Sequence, residues 1–127
     1  MAITQVVVAT PAAETIFQDT NIGSSLDAIK ASSTLVLWAF VDNSLNGAQA
    51  VYVKLFNVAQ GSVTLGTTAP DEVIYVPGGQ KITHVLYTGS TLGKTFGTAL
   101  TAACVITGGT AGVTAPSSAV TLTLAYV

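Results

Sequence analysis

The sequence is poor in charged residues. It has four Lys, no Arg and six Asp or Glu among 127 residues, whereas about a quarter of the residues of an average soluble protein are charged. With no arginine and four scattered lysines, the chain lacks the basic patch on which most nucleic-acid binding depends. Half of the residues are hydrophobic, which is unlike the composition of disordered chains. We therefore expect a folded protein that does not bind nucleic acid.

Long apolar runs, a positively charged leader and paired cysteines are also missing. The longest apolar run, residues 35–41, has seven residues, against roughly 20 for a membrane-spanning helix. The first lysine is Lys30, so the N-terminus lacks the positive region of a secretory signal. Cys104 is the only cysteine, which excludes an intramolecular disulfide. We expect one domain over residues 1–127 with no membrane association.

Hydrophobic residues alternate with period two along most of the chain. Val51, Val53 and Leu55 form one side of the clearest example, and turn residues 77–79 separate the later runs at 73–76 and 81–87. Similar runs lie at 3–9, 35–41, 73–76, 81–87, 99–107 and 119–127. This pattern predicts an all-β protein, an antiparallel β-sandwich of about seven or eight strands. Jelly-roll and immunoglobulin-like sandwiches share the pattern, so both topologies stay open.

Three segments carry local predictions. Residues 24–32 fit a single helical turn capped by Ser24 or Ser25. Residues 92–104 combine a four-residue apolar repeat with alternation, and Gly97 and the threonines favour a strand. Asn46-Gly47 predicts a hairpin between the strands on either side of it.

The titratable residues offer no recognisable catalytic, metal or cofactor site. Residues 89–95 (GSTLGKT) have three residues between their glycines, whereas a phosphate-binding loop needs four. His84 is the only histidine and is expected as a partly buried strand residue, and Cys104 as a small buried hydrophobic residue. Asp71 and Glu72 are adjacent and would point to opposite sides of a strand. We predict that the protein is not an enzyme and has no cofactor.

Residues 35–41 are apolar on both sides of the predicted strand. Leu35, Leu37, Ala39 and Val41 would alternate with Val36, Trp38 and Phe40. Since a sandwich strand turns one face outward, the second side is covered within the monomer or packs on another chain. The weakly charged surface also favours association, so we expect a homo-oligomer. The interface candidates are Ile3, Val6, Val8, Val36, Trp38 and Phe40.

Residues 1–12 are a further candidate for contact with another chain. They are apolar and contain Pro11. The segment is interpreted either as an N-terminal arm that docks on a neighbour or as the first strand of the sandwich.

A series of weak motifs runs from Thr20 to the end of the chain. They are the strand and loop of 32–55 with Val41-Asp42-Asn43, then 52–57 (YVKLFN), 66–70 (GTTAP), 76–79 (VPGG), 96–100 (FGTAL) and the strand 120–126. In this order they resemble a small β-sandwich virion protein of tailed bacteriophages, of the capsid decoration (cement) kind. The resemblance implies no enzyme activity, no cofactor and no site residues to transfer.

The resemblance also implies partners and a location. A decoration protein binds and stabilises the lattice of the major capsid protein, often as a homotrimer, in a virion assembled in the host cytoplasm. A tail or baseplate component is the nearest alternative. A receptor- or carbohydrate-binding module is another, for which Trp38 or Tyr52 would be stacking platforms.

Overall fold

The computed structural model describes residues 14–127, which form eleven β-strands and one short 3-10 helix. None of the helical segments in this part of the chain is long and apolar enough to cross a membrane. The strands are β1 (Thr15–Asp19), β2 (Asp27–Lys30), β3 (Thr34–Asp42), β4 (Val51–Phe56), β5 (Glu72–Val76), β6 (Lys81–Val85), β7 (Tyr87–Thr88), β8 (Thr91–Leu92), β9 (Lys94–Phe96), β10 (Leu100–Val105) and β11 (Thr121–Tyr126), and the 3-10 helix is Gln60–Ser62.

The strands build two main sheets. Sheet A has the order β1-β11-β3-β6, with β9 also pairing with β3, and sheet B has the order β2-β10-β4-β5. The strands β7 and β8 form a small separate hairpin. All of these pairings are antiparallel. The prediction of an all-β antiparallel sandwich is confirmed, with more strands than the expected seven or eight because the short strands β7, β8 and β9 add to the eight of the sandwich.

The pairing order distinguishes between the two predicted topologies. With the three short strands set aside, the first sandwich strand pairs with the last, the second with the seventh, the third with the sixth and the fourth with the fifth. This nested pairing is that of a long antiparallel ribbon rolled into two sheets, which is the jelly roll. An immunoglobulin-like sandwich would instead place its first two strands side by side in one sheet.

One hydrophobic core lies between the sheets. The period-two pattern supplies it from both sides, since alternate residues of each strand point inward. Val51, Val53 and Leu55 of β4 are completely buried there, as is Cys104 of β10. Leu122 and Leu124 of β11 face them from sheet A.

Two local predictions are wrong and one is confirmed. Residues 24–32 contain strand β2 rather than a helical turn, because β2 pairs with β10 at the edge of sheet B. The Asn46-Gly47 loop connects β3 in sheet A to β4 in sheet B, so it is not a hairpin. Residues 92–104 are extended in β9 and β10, as Gly97 and the threonines indicated.

Buried asparagines explain how the β3–β4 loop crosses between the sheets. The Asn43 side-chain amide donates hydrogen bonds to the carbonyls of Gln49 (2.9 Å) and Pro77 (3.1 Å). Asn46 donates to Asn43 Oδ1 at 2.8 Å and to the Ser118 carbonyl at 3.0 Å. These bonds satisfy backbone carbonyls that are not paired in either sheet.

A register shift divides β3 into two halves. Tyr126 pairs with Val36 and Ala125 pairs with Trp38, so Leu37 is one extra residue on β3. Such a bulge reverses which side chains face the core. Val36 is therefore buried in the core together with Ala39 and Val41. The prediction that Val36 shares a face with Trp38 and Phe40 is wrong for this reason.

Candidate docking face

The outer side of sheet A consists of three rows of side chains that run across the strands. We call it the A face and define it by these rows, which the strand register sets. The first row is Ile16, Ala125, Trp38 and Val85; the second is Gln18, Thr123, Phe40 and Thr83; the third is Thr121, Asp42 and Lys81.

Polarity changes steadily from one row to the next. The first row is entirely apolar, and the second adds only uncharged polar groups to Phe40. The third row contains the only charges of the A face, where Lys81 Nζ lies 3.8 Å from Asp42 Oδ2. Hydrogen bonds from Ser44 and, more weakly, the Lys81 charge hold the pKa of Asp42 below its usual value. The charges therefore stand at one end and leave two neutral rows.

Large apolar side chains of the A face contact solvent. Ile16 is 52% exposed and Val85 is 40% exposed, and Trp38 and Phe40 are half-buried. Trp38 and Phe40 line a shallow depression of about 460 Å³ together with Thr83, Val85 and Thr123. Exposed apolar patches often mark interaction sites, so the A face is a candidate docking site.

The β7–β8 hairpin follows β6 directly and forms a separate two-stranded sheet. Tyr87 follows Val85 by two residues and pairs with Leu92 across the hairpin. These two side chains are 58% and 50% exposed. Gly89 and Gly93 have positive φ angles of 61° and 98°, a conformation that glycine adopts without strain. The GSTLGKT segment, residues 89–95, forms the turn and the second strand of this hairpin and continues into β9.

The lysine of that segment contacts neighbouring residues of the same chain. Lys94 Nζ lies 2.9 Å from Glu72 Oε2 and donates to the Asp71 carbonyl at 2.6 Å. His84 Nε2 lies 3.5 Å from the other oxygen of Glu72. Asp71 accepts a hydrogen bond from the backbone amide of Asn57 at 2.6 Å. These contacts connect loops and strands and do not converge on an open site.

The thiol of the single cysteine is inaccessible. Cys104 is completely buried between the sheets, and burial raises the pKa of its thiol to about 12. A thiolate is the reactive form, so this thiol is inert at neutral pH. Among residues 14–127, no group of three or more His, Cys, Asp or Glu side chains is arranged to hold a metal ion.

The chain itself covers the outer side of the central strands β4 and β10 of sheet B, whereas Val73 and Tyr75 of the edge strand β5 are 36% and 52% exposed on that side. Residues 57–71 pass over Phe56 and Ala103, which form a second small core with Val63. Residues 106–118 pass over the neighbouring part of the sheet, where Gly108 packs against the Tyr52 ring. Phe56, Lys54, Thr101, Ala103 and Val105 are at most 1% exposed as a result.

Lys54 holds the second of these loops, residues 106–118, against sheet B. Its ammonium group is buried and donates hydrogen bonds to the carbonyls of Gly109 (2.6 Å) and Gly112 (3.1 Å). Burial lowers the pKa of this amine. An apolar residue at this position would leave both carbonyls without a donor, which explains a lysine in an otherwise buried strand position.

A carboxyl pair lies where the edges of the two sheets meet. Asp27 of β2 lies near Asp19 of β1, and its Oδ2 atom is buried with no hydrogen-bond partner. Burial, followed by the proximity of the Asp19 carboxyl group, raises the pKa of Asp27 to about 7. The folded protein therefore favours the protonated form of Asp27.

The interface candidates are distributed over three locations. Trp38 and Phe40 lie side by side on the A face, and Val36 lies in the core. Ile3, Val6 and Val8, and with them the arm or first strand of 1–12, lie outside the described residues. Sequence reasoning missed Ile16, Val85, Tyr87 and Leu92. Only the alternation of Thr83, Val85 and Tyr87 opposite Ile82 and Leu86 could have indicated part of this group.

Comparison with known proteins gives no family assignment. No family model matches the chain, and no curated protein sequence matches it.

Proposed function

We propose that this chain is a non-enzymatic structural virion protein, a capsid decoration protein that binds the major capsid lattice through the A face. The observation that carries the proposal is the contrast between two adjacent neutral rows across the centre of sheet A and the loop-covered central strands β4 and β10 of sheet B. A surface that the described chain leaves apolar and uncharged fits a protein partner. It does not fit a polar substrate.

The chemistry of the A face determines the kind of contact. Trp38 and Phe40 supply aromatic area, and Thr123 and Thr83 lie on either side of Phe40 in the second row. Aromatic side chains with few charges are characteristic of the buried centre of protein interfaces. The Asp42–Lys81 pair lies at the border, where solvent-exposed charges contribute little to affinity. The partner surface should therefore be neutral and mostly apolar at its centre.

The size of the A face favours a multivalent assembly. Four strands and three rows cover roughly 300 Å², less than the about 800 Å² that each side of a stable interface buries. One copy should bind weakly by itself. We therefore propose a homotrimer, in which three faces bind one lattice together and gain affinity from linkage. Light scattering should then give three times the chain mass of 12.8 kDa.

Binding to capsid shells tests the proposal. Shells would be assembled from the major capsid protein encoded in the same genome, mixed with the purified chain and separated by sedimentation. The chain should sediment with the shells and raise their melting temperature, and Trp38→Asp should abolish both effects while circular dichroism stays unchanged. If the chain stays in the supernatant and does not sediment with intact shells, the proposed function is contradicted.

A carbohydrate-binding module is a second candidate. The depression lined by Trp38 and Phe40 is the observation that favours it, because aromatic rings stack on sugars. Its polar lining consists of the Thr83 and Thr123 hydroxyls, without the carboxylates or amides that would fix sugar hydroxyls in place. A glycan array distinguishes the two functions: specific hits that Trp38→Asp removes would favour the sugar module.

A further inference from the structure

Strand β5 forms one edge of sheet B. Among residues 14–127 it pairs with β4 and with no other strand. Alternate backbone N–H and C=O groups of an antiparallel edge strand point away from its neighbour. Just before β5, the Asp71 carbonyl accepts a hydrogen bond from Lys94 at 2.6 Å. Just after it, the Pro77 carbonyl accepts one from Asn43 at 3.1 Å. The free edge is therefore the strand itself, Glu72–Val76.

The outward side chains of β5 are exposed, and one of them is held in place. Val73 is 36% exposed and Tyr75 is 52% exposed. The Tyr75 ring lies 5.2 Å from the Tyr52 ring and is tilted by 45° to it. Because this contact fixes the ring before any partner binds, less side-chain freedom is lost on association.

The charges at β5 do not oppose pairing with another strand. Its only charged residue is Glu72, whose Oε2 lies 2.9 Å from Lys94 Nζ. Two other edge strands contain a lysine, Lys30 in β2 and Lys81 in β6. Lysines on an edge strand hinder the addition of a further strand. Strand β5 lacks this protection.

The sequence of β5 is self-complementary when two copies run antiparallel about Ile74. All five residues of the strand are then paired, and Val73 of each copy lies opposite Tyr75 of the other. An aromatic residue opposite a β-branched residue stabilises paired strands. Glu72 lies opposite Val76, so the two carboxylates do not face each other. Any other register that keeps the outward residues on the same side shortens the pairing.

This arrangement turns both A faces in one direction. Two identical antiparallel strands of one sheet are related by a two-fold axis perpendicular to that sheet. Sheet A then lies on the same side of the joined sheet in both copies. Two chains that are paired through β5 could therefore place their A faces on one common surface.

We propose that β5 pairs antiparallel with β5 of a second copy and extends sheet B across a two-fold axis. The contact goes beyond the proposed function and does not rest on it. In a decoration layer it would join copies that belong to neighbouring trimers, while the A faces stay on the lattice.

The size of the contact sets its strength. Strand β5 is about 17 Å long and two packed sheets are about 10 Å apart, so the edge covers roughly 170 Å² per copy. This area is well below the about 800 Å² per partner of a stable interface. The dissociation constant in solution should be roughly 0.1–1 mM, and linkage within an array strengthens such a contact.

Sedimentation equilibrium of the full-length chain between about 10 µM and 1 mM tests the contact. Tyr75→Lys places a charge in it. The matched control is Ile16→Lys, because Ile16 is also 52% exposed and lies on β1, at the far edge of sheet A. The mean mass of wild type and Ile16→Lys should rise towards twice its low-concentration value. The mass of Tyr75→Lys should stay constant, with an unchanged circular dichroism spectrum.

Disulfide cross-linking tests the register and does not depend on the folding of Tyr75→Lys. Val73→Cys and Tyr75→Cys would be prepared separately in a Cys104→Ser background and mixed under oxidising conditions. Their mixed disulfide should form at least about tenfold faster than the disulfide of either variant with Ile16→Cys, because only paired positions hold the two sulfur atoms within bonding reach.

The results decide between a second copy and other occupants of the edge. A mass that does not rise with concentration overturns the proposal, and so do equal losses of association in Tyr75→Lys and Ile16→Lys. A mixed disulfide that forms no faster than the control overturns it as well and would leave the edge for a strand of a different protein. No capsid is present in these experiments, so failure of this contact and failure of the proposed function are distinguishable.

Discussion

The two outer sides of the sandwich differ in what covers them. On sheet B, residues 57–71 and 106–118 bury Phe56 and Lys54 completely. On sheet A, the equivalent central strand leaves Trp38 and Phe40 half-buried at a shallow depression. The same alternation along the chain thus produces a covered centre on sheet B and an uncovered centre on sheet A, while Val73 and Tyr75 at the β5 edge of sheet B stay exposed.

The difference shows that the length of the connecting loops determines whether the outer side of a sheet is covered or left free for binding. The connections before β5 and β11 are long enough to fold back over sheet B, and Lys54 and Gly112 hold one of them in place. No described connection passes over the centre of the A face. Side chains of similar character therefore serve stability on one side and remain available for binding on the other.

Two phenylalanines give the largest expected contrast. Phe56→Ala removes a completely buried ring under the loop on sheet B and should lower the free energy of unfolding by about 4 kcal/mol. Phe40→Ala removes a half-buried ring from the A face and should cost about 1 kcal/mol. Urea unfolding followed by circular dichroism measures both. Equal costs would mean that the A face is as closed as sheet B.

Two glycines of the loop over sheet B give the next contrast. A Cβ atom at Gly112 would meet the Thr107 carbonyl oxygen and lie 2.8 Å from Thr107 Cβ, whereas one at Gly109 would meet nothing within 4 Å. Gly112→Ala should therefore cost about 2 kcal/mol, and Gly109→Ala should be nearly neutral. The comparison uses the same urea experiment. A neutral Gly112→Ala variant would show that this loop does not hold its packed position.

Asp27, which lies where the edges of the two sheets meet, should give a pH-dependent effect of intermediate size on the free energy of unfolding. The pKa of Asp27 is raised from 3.8 to about 7, so the folded state favours its protonated form. This contribution to stability is fully present below pH 3.8 and is lost as the pH rises to about 7. Asp27→Asn mimics the protonated form and should stabilise the protein by about 1–2 kcal/mol at pH 8, after allowance for solvent screening.

The pH dependence of the Asp27→Asn effect provides its control. The stabilisation should shrink towards zero at pH 4, measured by urea unfolding at both pH values. Asp19→Asn should give a smaller effect of the same sign, because it removes the repulsion but not the burial. A stabilisation that is the same at pH 4 and pH 8 would contradict the raised pKa of Asp27.

The smallest expected effect on stability comes from a charge added to the A face. Thr83 is exposed beside Phe40, so Thr83→Lys should change the free energy of unfolding by less than about 0.5 kcal/mol. Thr110→Lys, on the loop over sheet B, is the matched control. Thermal unfolding of both variants measures this. A large loss in Thr83→Lys would show that the A face is part of the fold's own packing.

Much of the fold follows from the sequence, and the exceptions have physical reasons. Period-two alternation predicts the strands at 51–56 and 121–126 because alternate residues of each point into the core between the sheets. It cannot predict the bulge at Leu37, since an extra residue reverses the two sides without changing composition. Asn46-Gly47 has the chemistry of a hairpin turn, but the loop crosses between sheets because buried amides replace the missing ladder bonds.

The candidate site could be predicted only in part. Trp38 and Phe40 are recognisable because an apolar strand is unusual on an outward side. Val85 and Ile16 join them only through the register of four strands that are distant in sequence, and no local pattern encodes that register. The open state of the A face depends on where the long loops fold, which is a property of the whole topology.

The most direct test of the central claim is the binding of Thr83→Lys and Thr110→Lys to capsid shells, measured side by side with the wild-type chain. Each variant adds one lysine to an exposed threonine position, one on each side of the sandwich. The A face as docking surface predicts at least about tenfold weaker binding for Thr83→Lys, equivalent to about 1.4 kcal/mol, and unchanged binding for Thr110→Lys. Unchanged binding of Thr83→Lys, or equal losses in both variants, would contradict it.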